Sequence, residues 1–265
     1  MKPMFALQTL LGLVAAFPTS SEGNNGIEKR QATLTRWCSP TTSLCYNQYT
    51  TQGGSAFRIA IADTSTGGDF DIAIQLIAPV GQGWVGLSWG GGMSQAPLTV
   101  AWPNGQDVTL SSRWANAHTT PTVYNDASYV ILSDTGVNGT HYTLSAICKG
   151  CSTWVRPSGT RTLSPSGGVR LAWAQNTQAA SVAQRANPAS NFEYHQYLGY
   201  FDASFQDSKV PAAQFSSAAA MTKVGGTAPA ATPNPAVQQP VQPQPAQPAQ
   251  PAQPVFPGFG WPFNP

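Results

Sequence analysis

The chain has 265 residues, of which 9% are charged, and 13 Lys and Arg against 11 Asp and Glu leave a net charge of +2. Soluble globular chains usually carry about 25% charged residues, so a polybasic nucleic-acid binder and a long charged helix are both excluded. Three histidines (His118, His141, His195) and four cysteines (Cys38, Cys45, Cys148, Cys151) are the whole stock for an imidazole or thiolate site.

Lys2 is followed by an apolar run from Phe5 to Phe17 and then by small and polar residues. This reads as a secretory signal peptide over residues 1–21, too short for a membrane span of about 20 apolar residues. Lys29-Arg30, just before Gln31, reads as the end of a propeptide over residues 22–30. No later stretch is long and apolar enough to span a membrane. The mature protein is therefore expected to be secreted and extracellular, where cysteines pair. The C-x-x-C of Cys148 and Cys151 is read as a structural disulfide. A four-cysteine zinc site would need a second such pair, and Cys38 and Cys45 are spaced seven apart. Those two are expected to form the other disulfide. Asn138-Gly139-Thr140 is the one glycosylation sequon and fits a surface turn.

From Phe57 onward apolar residues alternate with polar ones. Strands are predicted at Phe57–Ile61, Phe70–Leu76, Trp84–Trp89, Leu98–Trp102, Tyr129–Leu132, Tyr142–Ile147 and Val169–Trp173, with Gly, Pro, Asn and Asp between them. This is the pattern of an antiparallel β-sandwich. Thr177–Arg185 reads as the only mildly helical stretch. The folded domain is placed at residues 31–223. Residues 224–265 hold 12 of the 23 prolines, mixed with Gln and Ala, and read as an extended polyproline-like linker with an aromatic tail.

Gly86-Leu87-Ser88-Trp89-Gly90 matches the G-x-S-x-G nucleophile elbow, and His195 follows it. The elbow needs a helix after the Ser, and Gly90-Gly91-Gly92 disfavours one. A copper monooxygenase with an N-terminal His ligand is discarded because Gln31 follows the dibasic pair. Two stretches are more informative together. Met93 follows three glycines and offers a polarizable thioether, and His195 lies in the aromatic run Phe192 to Phe201. Met and His are a known axial pair for haem iron, and aromatics can wall a macrocycle. No C-x-x-C-H is present, so any haem would be held non-covalently.

The landmarks Gly83-Trp84, Gly90-Gly-Gly-Met93, Val100-Ala-Trp102, Ser111-Ser-Arg113-Trp-Ala115, Asn138-Gly-Thr-His141, Cys148-Lys-Gly-Cys151 with Trp154, Leu171-Ala-Trp-Ala174 and Glu193-Tyr-His195 with Gly199-Tyr-Phe201 run through the folded part. In these the chain resembles the cytochrome domain of fungal cellobiose dehydrogenase. The resemblance implies an all-β, immunoglobulin-like antiparallel sandwich binding one haem b, with Met93 and His195 as axial iron ligands and a Cys148–Cys151 disulfide. His118 falls in a loop that in relatives carries a Tyr near the haem propionates, and is read here as a surface His. Relatives continue into a flavin dehydrogenase domain. No G-x-G-x-x-G dinucleotide fingerprint is read anywhere in this chain, so it is expected to carry electrons and not to oxidise a sugar itself. By resemblance the donor is an extracellular flavin or quinone sugar dehydrogenase, and the acceptor a copper polysaccharide monooxygenase or ferric iron. The rival reading is a non-enzymatic carbohydrate-binding sandwich, since similar folds bind sugars through exposed Trp and Tyr.

Overall fold

Alternation at period two lays one set of side chains on each face of a strand, and here it organises the whole described chain. A computed structural model describes residues 34–227. The signal peptide, the propeptide with Lys29-Arg30, and the aromatic tail of the linker lie outside those residues. In chain order the strands begin with β1 (Thr35–Cys38), β2 (Cys45–Thr50), β3 (Ala56–Ala62), β4 (Ile72–Pro79), β5 (Trp84–Ser88) and β6 (Pro97–Asn104). They continue with β7 (Asp107–Trp114), β8 (Thr122–Val123), β9 (Ser128–Leu132), β10 (Gly136–Val137), β11 (His141–Lys149) and β12 (Thr153–Arg156). The last are β13 (Gly159–Thr162), β14 (Gly168–Asn176), β15 (Tyr197–Ser204), β16 (Lys209–Val210) and β17 (Thr222–Thr227), with one α-helix, α1 (Ala212–Ala220).

Two large sheets form. One has the order β1-β2-β3-β4-β11-β9-β17, with β10 beside β11 and β16 beside β3; the other has the order β15-β14-β5-β6-β7-β8. Pairing is antiparallel except for β16 on β3. The inner faces of both sheets meet in the main core, where Phe57, Ile59, Ile74 and Leu144 from one sheet join Val85, Leu87, Leu171 and Phe201 from the other. Tyr49 stacks on Phe201 across the layers at 4.4 Å between ring centroids. The chain is therefore an antiparallel β-sandwich, as its alternation implies.

Each outer face is covered differently. Helix α1 lays Phe215 and Ala218 on the outer side of the first sheet, against Ala60, Ala73 and Ile147. Its Ala-rich sequence has high intrinsic helix propensity, Pro211 precedes it where no helical N–H is needed, and Asp63 Oδ1 accepts from the Ala212 N–H at 3.0 Å. The expectation of a single helical stretch at Thr177–Arg185 is corrected on both counts. That segment holds only a short 3₁₀ turn at Ala179–Ser181, within a long excursion between β14 and β15 that covers the second sheet.

One further correction concerns glycines. Gly81-Gln82-Gly83-Trp84-Val85-Gly86 does fit the letters G-x-G-x-x-G. It leads into β5, which pairs antiparallel with β6 and β14 and is followed by a turn instead of a helix, so it lacks the βαβ context of a dinucleotide site. The last strand, β17, pairs with β9 and runs past the composition change at Val224. The cysteines form two disulfides, Cys38–Cys45 joining β1 to β2 and Cys148–Cys151 at the end of β11. Asn138 is exposed, and its carboxamide oxygen accepts from the Thr140 and His141 backbone N–H groups. Among the described residues no helix is long and apolar enough to cross a membrane.

Candidate functional site

Cross-strand registry defines the outer face of the second sheet. Ser88 faces Leu98 and Ala172, Gly86 faces Val100 and Ala174, and Ala172 and Ala174 face Tyr200 and Leu198. Along the sheet the face is small in the middle and aromatic at both margins. The excursion from Thr177 to Gln196 closes over the β6–β7 half of the face. Side chains on that face donate to its backbone carbonyls: Trp102 Nε1 and Thr109 Oγ1 to Arg185 O at 2.8 and 2.6 Å, Ser111 Oγ to Pro188 O at 2.6 Å, Trp84 Nε1 to Glu193 O at 3.1 Å, and Asn176 Nδ2 to Tyr194 O at 2.7 Å. A segment with almost no regular structure is thus fixed by side-chain donors from the rigid sheet. Phe192 adds the apolar anchor, edge-on to Trp84 at 5.0 Å.

Over the other half of the face the chain leaves a cavity of about 610 Å³. Gly86, Ala172 and Ala174 floor it, Leu98, Val100 and Phe192 wall it, and Met93, His118 and His195 reach its lining from three separate loops. The Met93 loop is held by its glycines. Gly91 has φ of +74°, a region that favours glycine, and a Cβ there would meet Arg170 O at 2.7 Å. Ser88 Oγ donates to Gly92 O and accepts from the Gly90 N–H. The hydroxyl read as a nucleophile is thus part of this turn, at the end of a strand with no helix after it, and the elbow geometry is absent.

His195 is half-buried, and Tyr194 stacks on its ring at 4.2 Å between centroids. Burial pushes its pKa below the ordinary value, and nearby His118 pushes it in the same direction. Both effects favour the neutral imidazole, the form that binds metal. His118 is exposed, as expected of a surface His, but it also lines the cavity. His141 is not part of the lining; it pairs with Thr140 Oγ1 at 2.9 Å.

A family model described as the cytochrome domain of cellobiose dehydrogenase matches residues 37–217. The chain belongs to this family. A curated relative, the pyrroloquinoline quinone-dependent pyranose dehydrogenase of Coprinopsis cinerea, is 26% identical over 198 residues, covering 74% of this chain and 25% of the relative. The chain thus spans about a quarter of the length of the curated relatives it matches. Among solved structures, the cytochrome domain of Myriococcum thermophilum cellobiose dehydrogenase is 26% identical with a TM-score of 0.65, over 74% of this chain and all of that one. The cytochrome b domain of pyranose dehydrogenase from Coprinopsis cinerea is 22% identical with a TM-score of 0.64, covering 72% and 97%, and shares the fold.

A cytochrome domain implies haem, and the residues of this one fit the group. The cavity volume lies within the range of cofactor pockets, roughly 300–1,000 Å³. Its walls are largely apolar, and it presents one thioether and one half-buried imidazole. Cys148 and Cys151 are joined to each other inside the main core, so neither thiol is available for a covalent link. Sequence reasoning gave Met93 and His195 but assigned no role to Trp84, Trp102, Thr109, Ser111, Arg113 and Asn176, which hold the excursion. Their signal is the shared parity of 84, 86 and 88, of 98, 100 and 102, and of 109, 111 and 113, which puts them on one sheet face.

Proposed function

We propose that this domain is a secreted single-haem b electron carrier in which Met93 and His195 would hold the haem iron. The observation that carries the reading is that these two residues, 102 positions apart in sequence, border one apolar-walled cavity. When bound there, haem b supplies a one-electron iron couple. With Met93 and His195 both engaged by the iron, no iron site would remain for a substrate, and the role would be transfer of electrons instead of oxidation of a sugar. The thioether of Met93 favours the reduced state more than a second imidazole would. Leu98, Val100 and Phe192 keep water from the buried side, while Tyr194, Leu198 and Tyr200 are exposed at the rim where a partner can approach. The donor in this reading is an extracellular flavin or quinone sugar dehydrogenase, and the acceptor a copper polysaccharide monooxygenase or ferric iron. A glycan on exposed Asn138 would sit on the β10–β11 turn, which contributes nothing to the cavity lining.

Purified protein supplied with hemin is expected to show a low-spin Soret spectrum. Met93→Ala should keep the fold, open one axial position and lower the potential. His195→Ala should lose most of its haem, whereas His118→Ala and His141→Ala should stay red. A wild type that takes up no haem, or a His195→Ala variant with an unchanged low-spin spectrum, overturns the reading.

A further inference from the structure

Arg113 is the one charged side chain buried in the outer face of the second sheet, with 2% of its surface exposed. A buried charge is costly unless paired, and none of its hydrogen bonds goes to a carboxylate. Nε donates to Ser111 Oγ at 2.5 Å, one terminal nitrogen to Pro121 O at 3.2 Å, and the other to Pro188 O at 2.9 Å and to Ser190 O. Pro121 ends the loop that carries His118. Pro188 and Ser190 belong to the excursion that carries His195. One guanidinium on β7 therefore binds the backbones of two of the three loops that border the cavity, those of His118 and His195. It is also close to that cavity: its cross-strand neighbour Leu98 and the Phe192 ring, 5.1 Å beneath the guanidinium carbon, are both cavity walls.

A methionine or leucine would fill this space without the desolvation cost, so the charge and the donor fork need a reason. Lys could supply charge, but only Arg presents a planar fork able to serve carbonyls on two segments at once. We infer that Arg113 is a positioning residue with two separable effects: its fork locks the His118 and His195 loops to the sheet, and its uncompensated positive charge raises the reduction potential of haem in the cavity. The second effect rests on the haem reading above; the first does not. Its sign follows from electrostatics. A fixed positive charge across a low-dielectric wall disfavours the oxidised, more positive iron, so the reduced state gains.

The test compares Arg113→Lys and Arg113→Met with wild type. In protein without haem, amide hydrogen exchange across residues 117–121 and 185–192 should quicken at least about tenfold in both variants, because charged-donor hydrogen bonds worth more than a factor of ten are lost. Exchange in β3, β4 and β11 should be unchanged. In the haem-loaded proteins the midpoint potential should fall in Arg113→Met and remain near wild type in Arg113→Lys, which keeps the charge. A purely structural arginine would move the two potentials alike. Unchanged loop exchange in both variants overturns the clamp, and a wild-type potential in Arg113→Met overturns the electrostatic effect. If Arg113→Met fails to fold, Arg113→Lys against wild type still decides the clamp by exchange, and a potential that falls in Arg113→Lys overturns the charge effect. A wild type that binds no haem removes the haem reading and the potential effect together, while exchange still decides the clamp.

Discussion

Ala172→Leu tests whether the cavity is the ligand site without touching either proposed iron ligand. Ala172 sits on β14 between Ser88 and Tyr200 in the sheet, and it lines the cavity floor. A leucine there grows into open volume of about 610 Å³, not into packed atoms. The usual overpacking cost of about 1–3 kcal/mol should therefore not arise, and stability without haem should stay within about 1 kcal/mol. For a domain of this size that is a melting shift of no more than about 2–4 °C. Haem has no such freedom, since the isobutyl side chain would occupy the floor on which a flat ligand would rest. Haem uptake, followed as Soret absorbance on titration with hemin, should weaken at least about tenfold, the factor that 1.4 kcal/mol represents.

Ala203→Leu is the matched control. Ala203 is buried in the main core beside Val169, so the same enlargement should meet packed neighbours and cost about 1–3 kcal/mol, with haem affinity little changed in the protein that folds. The reasoning is refuted if Ala172→Leu binds haem as wild type does, or if it melts as low as Ala203→Leu.

The Cys148→Ser, Cys151→Ser double variant should keep its haem spectrum and lose stability toward the low end of the range for disulfides, roughly 2–5 kcal/mol, because the loop closed is short; loss of haem would place the disulfide in the site. Asp107 makes an exposed ion pair with Lys223 at 2.5 Å. Burial pulls the pKa of Asp107 up, but hydrogen bonds from Lys223 and the Val108 N–H outweigh it and leave the pKa below the usual value. Its stabilisation is therefore present above the unfolded carboxylate pKa of about 4 and is lost as pH falls toward the folded value. At neutral pH, Asp107→Asn should cost no more than about 1 kcal/mol, as expected for an exposed pair. The gap between variant and wild type should narrow in urea melts as pH falls below the unfolded carboxylate pKa, and a gap that widens on acidification contradicts the assignment.

The strands that were legible in the sequence are those with an apolar core on one or both sides. Phe57–Ile61 and Tyr142–Ile147 keep period two on the row that meets the opposite sheet, and Ala60 and Ile147 on the other row are apolar because helix α1 covers them. β7 was not read as a strand, and its composition explains why. Val108 and Leu110 face the main core, but Ser112 breaks that apolar row, and Thr109, Ser111 and Arg113 on the outer row face a run of backbone carbonyls. The excursion was misread for the same reason: Gln, Ala and Ser in Thr177–Arg185 look weakly helical, but those carbonyls are claimed by side chains more than 70 residues earlier in the chain. Helix α1 has Ala and Ser all around it and little amphipathic contrast, so only its contact with the first sheet reveals it. Glycines and aromatics mark the loops of Met93 and His195 in the sequence, and both residues line the cavity. The cavity they share depends on cross-strand registry, which no local pattern encodes.

Why the site lies on the outer face follows from how sheets are covered. A sheet face with large side chains must be buried, and here the chain buries only the β6–β7 half, through Trp84, Trp102, Val182 and Phe192. Beside it the sheet carries Gly86, Ala172 and Ala174, which leave depth, while Leu198 and Tyr200 on the edge strand β15 remain 52% and 46% exposed. Small floor residues next to exposed apolar ones describe a recess whose burial the described chain does not complete. The main core lies between the sheets, and few of its side chains, such as Leu87 and Trp173, border the recess. Filling or emptying the recess therefore changes the outer face without dismantling the sandwich. The loops that frame it are tied to the sheet by donors from β5, β6, β7 and β14. Their order is set before any ligand arrives, which would suit the proposed site, where Met93 and His195 are to be kept in fixed positions through repeated gain and loss of an electron.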